Sequence, residues 1–368
     1  MAKNKKRARS RQKQRRHTTP EVGLLDALGA GIDAPAPGPL LGVVSLALSV
    51  AAADDDPSAA FGTLVRSFSA ADRVETSAAL LAIATLTVDP DLRRRVRREI
   101  AERGHVLPQW LAELHRSEPV DRAGEVSTVF RDVDDLLVGV TVPGGGPLTA
   151  VVRVNNEFGA VATDGYVVGA PLDEVVGLLG ETDDPDLRVR DISPADARTR
   201  LTHALAEIAL GPGWVTSEQL TEARPLVEWM LSLLPEGGQD TGLRELSEEE
   251  LDGIAEAFLA SPFGPAWARL ELRPLVDDVL TAGSANGIGD PLVWSRKNVR
   301  GLLDLDRTAL DPDVVHVERT PELLRDLIRY GHAERGLHPQ LTADALSEVD
   351  ARADAFQAAL RALADDEA

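Results

Sequence analysis

Hydrophobic and polar positions change rhythm twice along the chain. From Leu40 to His115 the apolar residues recur at helical spacing and predict five helices, approximately 40–53, 58–67, 70–87, 91–103 and 108–115. The punctuation agrees. Ser69 is followed three residues on by Asp72, Asp89-Pro90 offers an N-cap with proline in the first turn, Gly104 stands where a C-terminal cap belongs, and Pro108 opens another turn. Helical character begins just after Pro20, so the N-terminal third reads as a helical array. At about Gly124 the period falls to two: Leu136, Val138, Val140 and Val142 alternate with Leu137, Gly139 and Thr141. A turn, Pro143-Gly-Gly-Gly-Pro147, leads to a second alternating run, Leu148, Ala150, Val152 and Val154, and a third spans about Ala160 to Val168. These predict an antiparallel meander of three or four strands, with Glu125 to Arg131 as the optional extra strand and Leu172 to Leu179 as a helix covering one face.

Helical spacing returns at Ser193-Pro194. Ser193 with Asp196 and Ser247 with Glu250 match capping boxes. Helices are predicted near 194–210, 217–234, 248–260, 265–281, 295–303, 321–334 and 343–364. In the last of them Leu346, Val349, Ala353, Phe356, Leu360 and Leu363 form a heptad seam too short for a free coiled coil, which must dock on another helix in cis or in a second copy. The expected fold class is α+β and mostly helical: a helical N-terminal array, a small antiparallel β-meander module and a helical C-terminal region. The corresponding organisation is a disordered basic tail at 1–19, a helical domain at 20–119, the sheet with its helix at 120–192, and a helical domain at 193–368.

Charge changes the picture at one end. Segment 1–19 holds nine of the 39 Lys and Arg and none of the 60 Asp and Glu, so a tail of +9 joins a body of −30. Without apolar periodicity the tail cannot bury a core. The spacing of Lys3, Lys5, Lys6, Arg7, Arg9, Arg11, Lys13, Arg15 and Arg16 lets an extended chain follow an anionic polymer such as nucleic acid, by counterion release. No aromatic residue interleaves them, so base stacking and sequence reading are not expected. A solubilising extension is the competing reading. The basic run lies too far from the apolar stretch 40–53 for a secretory signal, and 14 residues are too few to span a bilayer, so a buried helix in a cytoplasmic protein is expected there, with no membrane partner.

The second charge feature is Arg93, Arg94, Arg95, Arg97 and Arg98, on a helix whose Leu92, Val96 and Ile100 face inward. Arg93 with Arg97, and Arg94 with Arg98, repel at i,i+4 by about 0.2–0.5 kcal/mol each. Something anionic is expected to offset this, either the acidic body itself or a polyanion.

Chemistry is otherwise sparse. The chain has no cysteine, which excludes disulfides, thiol nucleophiles and cysteine-ligated metal. Gly144-Gly145-Gly146 joins two strands and no phosphate-cradling G-K-[ST] follows, so it reads as a turn. The run Gly283 to Gly289 follows a helix rather than a strand, and no G-x-S-x-G occurs. The local pairs His203 with Glu207 and His316 with Glu318 supply too few ligands for a metal site, and His316-x-Glu318 lacks the downstream cysteines of zinc deaminases. No cofactor is implied. The leading expectation is a non-catalytic interaction or regulatory protein. An enzyme with its site between the hairpin module and the C-terminal helices is the alternative, with Asn155, Asn156, Glu157 and Asp164 as its polar candidates.

The hairpin Leu136 to Asn155 and the segment Gly289-Asp-Pro-Leu-Val-Trp-Ser295 resemble parts of uncharacterised hypothetical proteins of GC-rich actinobacteria, a source in keeping with five lysines against 34 arginines. The resemblance implies no activity and carries over no catalytic residue.

Overall fold

The computed structural model describes residues 20–156, 159–181, 184–207, 216–240, 246–284, 289–305, 310–311 and 313–366. Among them are 14 α-helices and a single five-stranded antiparallel sheet, with helices on both sides of it in the chain.

The N-terminal array consists of α1 (Pro20–Ile32), α2 (Gly38–Ala52), α3 (Pro57–Ala70), α4 (Val74–Leu86), α5 (Pro90–Arg103) and α6 (Gln109–Glu113), followed by a 3-10 turn at Leu114–Arg116. The stretch expected as a buried helix is α2, with Leu40, Leu41, Val44 and Leu48 in the core. One expected cap is not used. Ser69 and Asp72 do not open a helix, because α3 runs on to Ala70 and α4 starts at Val74 after an uncapped Arg73. Ser69 turns instead to Glu99, and Asp72 to Arg103 and His105.

The sheet contains β1 (Glu118–Thr128), β2 (Val133–Val142), β3 (Gly146–Asn155), β4 (Val161–Val168) and β5 (Leu187–Ile192), in the order β4-β3-β2-β1-β5. In the β2–β3 turn Gly144 and Gly146 take φ values of 69° and 90°, which residues with a Cβ rarely adopt. Helix α7 (Leu172–Gly180) covers one face of the sheet, packing Leu172 and Val175 on Val126, Leu137 and Val151. Its approach requires Gly124 and Gly139, where a Cβ would meet Val176 at 2.7 Å and Leu172 at 3.2 Å. The other face, with Leu136, Val138, Val140, Ala150 and Val152, joins the core of the N-terminal array, together with α8 (Pro194–Glu207) and α9 (Glu218–Leu233).

A second apolar core gathers α10 (Glu248–Ala260), α11 (Arg273–Ser284), α12 (Arg296–Leu302), α13 (Thr320–Glu334) and α14 (Pro339–Asp366). The helix expected at 265–281 starts only at Arg273, after a 3-10 turn at Leu270–Leu272. The turns before it bury Trp267, whose indole N–H donates to Asp326 and whose face carries Arg319 at 4.5 Å. The heptad seam docks in cis: Val349 and Phe356 of α14 are buried in this core, while Leu363 near its end is 46% exposed. No helix among the described residues is long and apolar enough to cross a membrane.

The β1–β2 loop joins the two cores. Phe130 packs with Val293 and Leu341, and its ring lies 6.0 Å from that of the buried His332 on α13. The His332 ring accepts from the Trp294 backbone N–H through Nε2 (3.2 Å), which leaves Nδ1 to donate to Thr342 Oγ1 (3.0 Å). Burial pushes this imidazole down to about 4, against a smaller upward effect of the Trp294 hydrogen bond. Because the folded value lies below the ordinary 6.5, the stability it contributes is present above pH 6.5 and lost as pH falls toward 4. The loss is expected to reach up to about 3 kcal/mol, and His332→Gln is expected to flatten it. Urea unfolding at pH 7, 5 and 4 reads both effects; equal pH dependence in wild type and variant contradicts this assignment.

Candidate functional site

Helix α5 is well delimited. Asp89 Oδ1 accepts from the N–H groups of Asp91 and Leu92 at 2.9 Å, Pro90 fills the first turn, and Gly104 closes the helix at φ 71°. Leu92 and Val96 are buried and Ile100 packs against the same core, so arginine occupies most of the outward surface.

The fates of these arginines differ. Arg103, in the last turn, is fully engaged with Glu99, Ser77 and the carbonyls of Ser69 and Ala71. Arg94 pairs with Asp91 of its own helix. Arg97 donates to the Ala112 carbonyl at 3.0 Å and meets the His115 ring, with Nη2 3.0 Å from Nδ1. Arg93, Arg95 and Arg98 form no hydrogen bond or ion pair among the described residues. Among the described residues no carboxylate pairs with these three, although carboxylates engage Arg122, Arg153, Arg198, Arg273, Arg325 and Arg335 elsewhere.

The segment 109–116 adds two groups that the sequence did not single out. Trp110, Leu111 and Leu114 anchor it in the core, which holds His115 and Arg116 beside α5. Burial first, and then the charges of Arg97, Arg93 and Arg116, push the His115 imidazole below its ordinary value. The second of these causes is a cluster of positive charge inside a strongly negative protein.

The nine tail cations, Lys3 to Arg16, lie outside the described residues. The tail enters the fold at α1, which packs on α2 and α4, and α4 in turn carries α5.

Among the described residues, the polar candidates for an enzyme site occupy separate places in the fold. Asn156 donates to the Arg131 carbonyl at 2.9 Å and closes the β1–β2 loop. Asp164 accepts from Ser217 Oγ at 2.5 Å, which fixes the N-terminus of α9. Asn155 sits in the ladder opposite Val133 and Val161, and Glu157 lies outside the described residues. Two surface clefts are lined by other residues. One, about 330 Å³, is mainly apolar and runs between Leu48, Phe61, Val88 and Trp229; the other, about 580 Å³, lies between α10 and α13 beside Tyr330 and the Asp290–Arg335 pair. His203 faces Glu207 and Asp240, and His316 faces Glu318, but no group of three or more potential ligands among the described residues is placed to hold a metal.

A buried ionic cluster lies under α8. Glu125 of β1 and Asp134 of β2, both fully buried, share Arg200, whose guanidinium donates to Glu125 Oε2 and, at 2.6 Å, to Asp134 Oδ2. Arg190 of β5 adds a two-pronged contact with Glu125 at 2.5 and 2.9 Å. Arg131, held at φ 51° in the β1–β2 loop, reaches Asp134 at 2.7 Å. Burial raises the Glu125 carboxyl, but the hydrogen bonds from Arg190 and Arg200 and the charges of Arg200 and Arg131 outweigh it and hold it at about 2. Both carboxylates are paired with cations of the same chain, so this cluster reads as a structural staple.

Compared with protein-family models, curated proteins and solved structures, the chain matches none of them.

Proposed function

We propose that the protein is a non-catalytic cytoplasmic interaction protein that binds a polyanion, nucleic acid in the first place, through its basic tail and the arginine face of α5 together. The observation that carries this reading is the absence of partners for Arg93, Arg95 and Arg98 among the described residues of a −30 body. Leaving like charges adjacent on one helix is unfavourable by a few tenths of a kcal/mol per pair, and an external anion offsets that repulsion. Phosphate oxygens suit guanidinium forks, and no aromatic residue stands among the arginines to read bases, so the contact is expected to be with the backbone and indifferent to sequence.

The test is the full-length variant R93Q/R94Q/R95Q/R98Q, which spares Arg97 and its contact with Ala112. Its affinity for duplex DNA, followed by fluorescence anisotropy over a salt series, is expected to fall by at least about tenfold. The log–log salt slope is expected to become less negative by about 0.9 for each phosphate that the variant no longer neutralises. Thermal stability is expected to hold or rise slightly, since two repulsive pairs disappear while glutamine remains a good helix former. Unchanged affinity and slope would remove α5 from the interface.

A further inference from the structure

We propose that His115 and Arg116 complete, with Arg93 and Arg97, a site for a phosphate group of the nucleic-acid backbone, and that occupation of this site takes up a proton on His115. The inference rests on the polyanion reading and adds to it a defined site and a pH dependence.

Two elements build the site. The segment 109–116 is fixed by Trp110, Leu111 and Leu114 in the core, and by the Ser117 hydroxyl donating to the Leu114 carbonyl at 2.7 Å. His115 is therefore held against α5 rather than carried on a free loop. Arg97 is oriented by the Ala112 carbonyl, and its Nη2 lies 3.0 Å from His115 Nδ1 and 3.3 Å from Nε2. In that geometry a neutral ring with Nδ1 unprotonated accepts from Arg97. Arg93 and Arg116 are near enough to act on the ring and have no anionic partner among the described residues. The other ionisable groups around the ring are few. Glu113 and Glu118 flank it in its own segment, and α4, which packs beneath, carries only Glu75. None of the three carboxylates figures among the charges that set the ring's proton affinity.

A phosphate between these groups reverses the local balance. It draws the Arg97 guanidinium toward its own oxygens, which frees the ring nitrogen, and its negative charge favours imidazolium where three guanidinium groups had disfavoured it. The proton comes from solvent, and the charged ring becomes a further donor to the phosphate. Binding and protonation are then linked: affinity increases as pH falls, by about tenfold for each unit by which the bound phosphate raises the imidazole. Backbone phosphodiesters do not titrate in this range, so the dependence belongs to the protein.

The test measures affinity for a 20-base-pair duplex without terminal phosphates from pH 7.5 to 5.0 at constant ionic strength, using full-length wild type, H115Q and H17Q. His17 is the imidazole of the tail, so H17Q isolates its contribution. The expected result is a rise of about tenfold or more toward low pH in wild type and H17Q, and a flat profile for H115Q. If H115Q keeps the rise, or if all three chains bind tightly without pH dependence, this inference fails and the polyanion reading survives. If no chain shows salt-dependent binding at any pH, both fail. NMR titration of selectively labelled histidine gives a readout that does not depend on a variant. The His115 imidazole is expected to move upward when duplex is added. A shift produced by inorganic phosphate but not by duplex would assign the site to a small phosphorylated ligand and overturn the nucleic-acid source.

Discussion

Arg200→Met is expected to destabilise the fold by about 3–5 kcal/mol, a larger effect than that of any single arginine on the outer surface of α5. The side chain is 6% exposed and bridges two carboxylates with no exposure at all. Removing it leaves Glu125 with Arg190 and Arg131, and Asp134 with Arg131 alone, inside a medium that penalises uncompensated charge. Urea unfolding followed by tryptophan fluorescence measures the loss, and thermal unfolding is expected to shift by on the order of 10 °C. A loss below about 1 kcal/mol would place the cluster with ordinary surface ion pairs. The triple variant E125L/D134L/R200M distinguishes need from habit. It removes the buried charges together, and Arg131 and Arg190, which are 25% and 49% exposed, can turn to water. It is expected to be close to wild type in stability or above it, because Asp134 Oδ1 and Arg131 Nε have no hydrogen-bond partner in the native cluster. The same cluster predicts an acid limit. The folded Glu125 carboxyl sits at about 2, below its ordinary 4.5, so its contribution is present above pH 4.5 and lost as pH falls through 2. That window lies below the one assigned to His332, and the two can be separated in an unfolding series.

The contrast between α5 and this cluster indicates what a sequence discloses. The arginine helix was legible because every relevant signal is local: the Asp89-Pro90 cap, the inward Leu92 and Val96, the Gly104 stop and the basic residues between them. The meander was legible for the same reason, since β2, β3 and β4 alternate and are joined by short turns. Strand β5 was not. Its sequence, Leu-Arg-Val-Arg-Asp-Ile, lies along a sheet edge with both faces largely exposed, so burial imposes no alternation beyond two apolar ends and a valine. The ionic cluster left a fainter trace. Glu125 and Ser127 share the parity of Ala123, and Asp134 that of Leu136 and Val138, which places acids on the face that α8 covers. Arg200 likewise interrupts the apolar stripe Ala197, Leu201 and Ala204. Such parity marks a polar group as inward, but the partners are 66 and 75 residues apart, and only the packing of α8 brings them together. His115 and Arg116 were hidden in another way. Their relation to Arg97 depends on how segment 109–116 folds back on α5, which no local period encodes.

Deleting residues 2–19 is expected to leave both cores intact and to remove most of the affinity for polyanions. Folding should survive because the described structure from Pro20 onward supplies the core residues itself, beginning with Leu28, and the tail offers no apolar positions to replace. Binding should fall because the tail holds nine of the cations and no acid. With four to six phosphates neutralised on duplex DNA, the intact chain is expected to show a log–log salt slope of about −4 to −5, so that affinity drops roughly 300- to 1,000-fold between 50 and 200 mM salt. The tail-deleted chain keeps only the α5 face, with a shallower slope and slight residual binding. Competition within the molecule sets the alternative outcome. A body of −30 attracts a tail of +9 at short range, and at low salt, where the screening length grows, this attraction could hold the tail against its own surface. In that case the isolated tail peptide binds DNA more tightly than the intact chain, and the intact chain shows an affinity that passes through a maximum as salt first releases the tail and then screens the phosphates. Fluorescence anisotropy with the intact chain, the tail-deleted chain and the peptide, over one salt series, separates the cases. Equal affinity with and without residues 2–19 would overturn the role of the tail and leave the arginine face of α5 as the sole anion site.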